Sequence, residues 1–457
     1  MRKLSKVLTF GLSLSLLAAC GSTTSNASKN GTITGGDSYI GKNDSGKKTG
    51  TLQDLYNSMY DNEEAFNYLL AEIAKQELGL SYDKTTHTWT DTVEDDYNYA
   101  SIINERRVDY LEETSSEYTS TRATNGVVET FDEERLVETL TKNGYTIACT
   151  AGYGPTLNED WTYNESKKYL CNYTDLYEKT IDNQILIDLL SEKYILDESI
   201  TSLTKQQVRK VNYLSIDKGT YSTVEGTGDD EKLKENNLSS DFVYDVVLAG
   251  LKSNKTLEDI ETIWKSYQTA TIDFKAYNKE NAACSYDTDS SYEKCREFTD
   301  NSAISLTEGV KRAKLEVLDS EYYFEDVLTN SDTTVFNESI NGYLFSTTTA
   351  SRLKTVNGKS YLVSTALPAG QKVFSDENII ITDTTNSKYI FLEVTIIDEN
   401  TEDAGLLLEA AHAVIADNDE LFEDALTHYL NKYKVTVHTE LFEDYLEQSF
   451  PSVKFYR

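Results

Sequence analysis

The first twenty residues constrain the chain more than any later stretch. Arg2, Lys3 and Lys6 make a short basic start, and Val7 to Ala19 is an unbroken run of apolar and small residues that ends at Cys20. A basic start followed by a short apolar run is the layout of a secretory signal, and the run is too short for a comfortable membrane span. The remainder of the chain is therefore expected to fold outside the cytoplasm, where thiols can be oxidised.

The ending Leu17-Ala18-Ala19-Cys20 resembles the lipobox of bacterial lipoproteins. That resemblance implies removal of residues 1–19 as a signal peptide and lipidation of the Cys20 sulfur, with anchorage on the outer face of the cell membrane. The competing reading is an ordinary signal peptide followed by an incidental cysteine. Residues 20–50 are rich in Ser, Thr, Asn, Gly and Lys and read as a flexible tether.

With 457 residues the chain has room for two or three domains, and its 39 % hydrophobic content suffices for a packed core. The formal net charge of -34 repels phosphate backbones and anionic headgroups. Nucleic-acid binding is thereby disfavoured, and membrane attachment falls to the lipid. After Cys20 the cysteines are Cys149, Cys171, Cys284 and Cys295. Their number permits two disulfides in three connectivities, of which proximity favours Cys149–Cys171 with Cys284–Cys295; four free thiols are the alternative. No C-x-x-C pair occurs, so these cysteines point to no metal site.

From Thr51 the spacing of Leu52, Leu55, Tyr56 and Met59, then Phe66, Leu69, Leu70 and Ile73, predicts one interrupted helix or two short ones ending at Gly79. Residues from about 81 to 130 carry a weak helical signal. A helix is expected from Phe131 to Gly144, and a long amphipathic one from about Ser166 to Ile195. The first 200 residues or so thus read as mainly helical.

The pattern changes near Gln207. Val208–Ile216 alternates like a strand, Asp241–Leu251 and the stretch through Leu257, Ile260 and Trp264 read as helices, and residues 276–335 read as an acidic insertion. Strands are expected at Tyr361–Thr365, Ile379–Thr382 and Tyr389–Ile396. Helical spacing returns from Glu402 through Leu430, followed by a short strand at Lys434–His438 and a last helical stretch up to Pro451.

Several stretches together resemble one family. TLQDLYNSMYDNEEAFNYLLAEIAKQELG (Thr51 to Gly79) is similar to the first chaperone helices of the PrsA-type foldase lipoproteins and their SurA-like relatives, and ALTHYLNKYKVTVHTELFEDYLEQ (Ala425 to Gln448) to their returning C-terminal segment. VRKVNYLSIDKG (Val208 to Gly219) and SKYIFLEVTIID (Ser387 to Asp398) resemble the first and last strands of their parvulin-type prolyl isomerase domain, and LAGLKSNKTLEDIETIWKSY (Leu248 to Tyr267) the helical stretch between. The resemblance implies an α+β, mainly helical chain: a bipartite helical chaperone module (51–205 and 400–457) with a parvulin-like α/β domain (206–399) inserted.

It also implies a membrane-anchored extracytoplasmic chaperone whose partners are unfolded secreted polypeptides and which needs no cofactor. The histidines that a parvulin domain carries in its first and last strands are missing. Asn212 or Tyr213 and Ile390 stand there, while the chain's histidines are His87, His412, His428 and His438. No catalytic residue is carried over, and isomerase activity is expected to be weak or lost. An active parvulin-type isomerase is the alternative, and a solute-binding or structural surface lipoprotein a second. Asp287, Asp289 and Glu293 lack the glycine and spacing of a calcium loop and read as a solvated acidic loop. The histidines form no metal-binding pair.

Overall fold

The computed structural model describes residues 62–93, 97–115, 118–123, 127–149, 169–217, 220–225, 232–238, 243–264, 323–363, 379–383, 388–435 and 447–454. Cys20 with the expected signal peptide and tether, Cys284, Cys295, Asp287, Asp289, Glu293, His438 and the apolar positions Leu52 to Met59 lie outside them. The architecture is mixed α and β. Among the described residues no helix is long and apolar enough to cross a membrane.

The N-terminal half is built on helix α1 (Asn62–Glu77), whose Phe66, Leu69, Leu70, Ile73 and Ala74 are buried as the helical spacing requires. Gly79 ends it at φ 62°, where a Cβ would stand 2.8 Å from Val93 Cγ2. The region from 81 to 130 is more ordered than its composition suggests. It holds the hairpin β1 (Leu80–Asp83) and β2 (Thr88–Asp91), helix α2 (Tyr99–Ser115), and the hairpin β3 (Thr119–Ala123) and β4 (Val127–Phe131). Helix α3 (Glu133–Lys142) follows, its first turn capped by the Asp132 carboxylate accepting from the Arg135 N–H at 3.1 Å.

The long helix expected from Ser166 starts later. Cys149 and Cys171 face each other in the two-residue strands β5 (Ala148–Cys149) and β6 (Cys171–Asn172) and are joined by a disulfide. Tyr169, at φ 58°, lies just before β6, and among the described residues helical geometry begins only at Thr174. It then runs through the π-helical turn Tyr177–Ile181 into helix α4 (Asp182–Glu198) and the short α5 (Thr201–Lys205). Leu186, Leu189, Leu190 and Ile195 of α4 are all buried. Helix α4 is the axis of this half: α1 and α2 pack on it, as do two helices from the far end of the chain.

A six-stranded antiparallel sheet forms the middle. Strand β7 (Arg209–Asp217) is followed by the hairpin β8 (Thr220–Glu225) and β9 (Lys232–Leu238), which lies outside the sheet. A π-helical turn at Val243–Leu248 leads into α6 (Ala249–Lys252), and α7 spans residues 257–264. The remaining elements are β10 (Tyr323–Leu328), α8 (Glu338–Leu344), β11 (Leu353–Val356), β12 (Lys359–Leu362), β13 (Ile381–Asp383) and β14 (Lys388–Ile396). The order is β10-β7-β14-β12-β11, with β13 also on β14. The acidic insertion read at 276–335 therefore gives up its end to the sheet. Tyr323 and Val327 fall on one face of β10 while Phe324 and Leu328 fall on the other, an alternation masked by the acidic residues between them.

Both faces of the sheet are covered. Leu214, Ile216 and Phe391 pack under Val243, Val247, Leu257, Ile260 and Trp264. Val211, Ile390, Leu392 and Val394 pack under Ile340 and Leu344 of α8. The helical spacing from Glu402 through Leu430 forms two capped helices, α9 (Ala404–Asp417) and α10 (Asp419–Lys432). Asn418 breaks them, its side chain accepting from the Leu421 N–H at 3.1 Å. Val414, Ile415, Leu426 and Leu430 join the same core as α1 and α4. Phe450 meets Phe66 with ring centroids 5.4 Å apart, and Lys432 Nζ meets Glu77 Oε2 at 2.7 Å.

Candidate functional site: a cleft over a buried ionic floor

Helix α2 reads as a weak amphipath because its inward face is polar. Arg106, Arg107 and Tyr110 point at α4, and each finds an acid there. Arg106 donates from Nη1 and Nη2 to Glu192 Oε1 and Oε2 at 2.7 and 2.9 Å. Arg107 forks onto Asp182 at 2.7 and 2.6 Å, and the same carboxylate accepts from Trp89 Nε1 at 2.9 Å. Tyr110 donates its hydroxyl to Asp188. These acids occupy positions 182, 188 and 192 of a helix that is largely apolar on its buried sides, and their burial is compensated by arginine partners for Asp182 and Glu192 and by the Tyr110 hydroxyl for Asp188.

Glu192 has a second partner. His412 on α9 places Nδ1 2.6 Å from Glu192 Oε1. Burial pushes the Glu192 carboxyl up, but Arg106 and His412 outweigh it and hold the group at about 2. Asp188, one turn earlier, goes the other way. Burial raises its pKa, and the opposing pull of His412, Tyr110 and Arg106 is too weak to restore it. Two carboxylates on one helix are thus driven apart in acidity by their neighbours.

Three members of this network, Arg106, Tyr110 and His412, line a cleft of about 620 Å³, within the range of about 300–1,000 Å³ common for binding sites. Its walls come from α2, α9 and β10, and so from the beginning, end and middle of the described chain. Val327, Val335 and Leu408 give it apolar patches, and Val335 is 39 % exposed. The charge is one-sided: seven carboxylates, among them Glu105, Asp109, Glu325 and Asp326, face two permanent cations, Arg106 and Lys210. Both cations are engaged, Arg106 by Glu192 and Lys210 by Glu325 at 2.7 Å and Glu409 at 3.6 Å.

The residues singled out in the sequence are placed as follows. Among the described histidines, His87 pairs with Glu178 at 2.5 Å in an exposed position, His428 lies against the rings of Tyr194 and Tyr429, and only His412 lines the cleft. Cys149 and Cys171 pack against the helical core, away from it. Asn212 and Tyr213 are on β7 and Ile390 on the adjacent β14, with Tyr213 opposite Leu392 and Ile390 opposite Ser215. Ile390 is buried against α8 with Val211 and Leu392. On the opposite face a polar row crosses four strands: Glu325, Asn212, Glu393 and Tyr361 stand side by side. The Asn212 Oδ1 there is buried and has no hydrogen-bond partner among the described residues.

Arg106, Arg107, Asp182, Asp188 and Glu192 escaped the sequence reading because ion pairs between distant helices leave no periodic mark. The available signal was an arginine pair on one helix and three acids inside an apolar one. Among the described residues no group of three or more His, Cys, Asp or Glu is arranged to hold a metal ion. No family model matches the chain, and no curated protein matches it in sequence.

Proposed function

We propose that the protein is a lipid-anchored extracytoplasmic chaperone that covers exposed apolar segments of unfolded secreted polypeptides, with prolyl isomerisation weak or lost. The observation that carries this reading is the cleft itself. It is open, lined by aliphatic patches with a polar rim, and framed by α2 and α9, which pack on the same helix α4 from opposite ends of the chain. That packing supports the bipartite helical module suggested by the PrsA-type and SurA-like resemblance, with residues 206–399 as the inserted parvulin-like domain. The pairing of β7 with β14 at the centre of the sheet also supports it, because first and last strands that share a site must be neighbours. The disulfide is in keeping with an oxidising compartment.

Isomerase chemistry requires polar groups placed around the twisting amide, whose uncatalysed barrier is about 18–20 kcal/mol. Ile390 offers none. The purified chain should suppress aggregation of a reduced client while leaving the exchange rate of a proline peptide, followed by NMR, close to the uncatalysed one. Absence of any suppression would sink the chaperone reading. The row Glu325–Asn212–Glu393–Tyr361 favours one second reading, an isomerase with its own polar groups. Strong acceleration of exchange, lost in Glu393→Gln, would establish that instead.

A further inference from the structure

One imidazole sets what polar group the cleft can receive. His412 places Nδ1 2.6 Å from Glu192 Oε1. Glu192 is also held by the Arg106 fork at 2.7 and 2.9 Å, and the two partners keep it ionised down to about pH 2. An ionised carboxylate only accepts, so Nδ1 carries the proton and the neutral ring has its lone pair on Nε2. A carboxylate behind a histidine fixes the tautomer in the same way where the ring serves as a ligand or a base. The His412 side chain is 26 % exposed while Glu192 is fully covered, so the side of the ring that reaches the cleft is the one bearing Nε2. Among the described residues Nε2 has no hydrogen-bond partner.

The rest of the lining restricts what can meet that nitrogen. His412 shares it with Ile102, Val327, Val335, Leu408, Ala413 and Ala416. A purely apolar occupant would strip water from Nε2 and return no donor, which selects against it. The walls also carry more carboxylates than permanent cations, and both cations, Arg106 and Lys210, are in ion pairs. A hydroxyl or a main-chain amide brings an acceptor oxygen with its donor, and among the described residues these walls offer that oxygen no idle cation. A large apolar ring system with one N–H and no acceptor meets both conditions, and among amino-acid side chains that is indole.

We propose that the cleft selects segments presenting a tryptophan, whose indole N–H donates to His412 Nε2 while its rings lie on the aliphatic patches of Val327, Val335 and Leu408. The proposal rests on the chaperone reading and narrows it: His412 is the residue that chooses among apolar segments, and Glu192 positions it.

Fluorescence anisotropy on the full, detergent-solubilised chain tests this with two short labelled peptides of leucine and glutamine. One carries a central tryptophan and the other its benzothienyl isostere, in which sulfur replaces the indole N–H. The tryptophan peptide should bind about three- to tenfold tighter, the worth of one hydrogen bond. In His412→Phe, which leaves Glu192 its arginine and is checked for an unchanged thermal melt, the two peptides should bind alike. The ring ¹⁵N signal of His412 Nε2 in histidine-labelled parent protein should move on saturation with the tryptophan peptide and stay in place with the isostere. This last measurement needs no variant, so it decides the matter even if His412→Phe fails to fold. Equal binding of the two peptides to the parent, a tryptophan preference that survives in His412→Phe, or an unmoved ¹⁵N signal would each overturn the proposal. Aggregation suppression without binding of either peptide would also overturn it and leave the chaperone reading intact. Loss of both would end both.

Discussion

Glu192 is the residue on which the acid stability of the helical half turns. Its folded pKa, about 2, lies below the ordinary carboxylate value of 4.5. A depressed carboxyl contributes stability that is present above its unfolded pKa and lost as pH falls toward the folded one. The contribution, about 3 kcal/mol at neutral pH, should disappear between about pH 5 and pH 2. Asp188 acts in the opposite sense: its raised pKa withdraws stability as pH climbs through it, so the two partly offset each other in weak acid. Glu192→Gln should flatten the acid limb of a urea-unfolding series and cost about 3–5 kcal/mol at neutral pH, because Arg106 stays buried without its counter-charge. A variant as stable as the parent at pH 7 would show that the pair is replaceable. None of this was legible in the sequence. A glutamate inside an apolar helix announces a buried charge, but its partners sit on α2 and on α9, and no local pattern names them.

Among the elements, those with a clean period were readable. Helix α1, β7 and β14 fall close to where spacing and alternation put them, since their apolar residues alone decide which side is buried. Helix α2 was not readable, because half its inward face is arginine and tyrosine. Nor was β10, whose apolar alternation is interrupted by Glu325 and Asp326. The start of the α4 region was misjudged for a covalent reason: the Cys149–Cys171 bridge holds residues just before it in a hairpin. Replacing both cysteines with serine should cost about 2–4 kcal/mol and loosen the β5–β6 hairpin and the approach to α4, seen as faster hydrogen exchange from Thr174 to Ile181. Unchanged exchange there would show that the bridge does not brace the approach to α4. The cleft as a whole left no mark in the sequence, since its walls are three elements far apart in the chain.

For the whole molecule, the telling arrangement is that both ends of the described chain share one core. Removing residues 400–457 takes away α9, α10 and Phe450 and exposes the apolar sides of α1 and α4. The truncated chain should lose cooperative unfolding of the N-terminal helices, measured by far-UV circular dichroism against urea; retention of the parent's single transition would show that the first half folds alone. Release from the membrane fraction, or persistence of the uncleaved precursor, is the expected result of Cys20→Ala, and normal processing with normal retention would count against the lipid anchor. The contact between His412 and Glu192 spans 220 positions of sequence. Native contacts of such reach give the chain a high contact order and slow its folding. A polypeptide that emerges N-terminus first must hold α4 with one flank bare until α9 follows. For that interval the molecule is itself an unfinished chain with exposed apolar surface, dependent on the kind of protection it is proposed to give others.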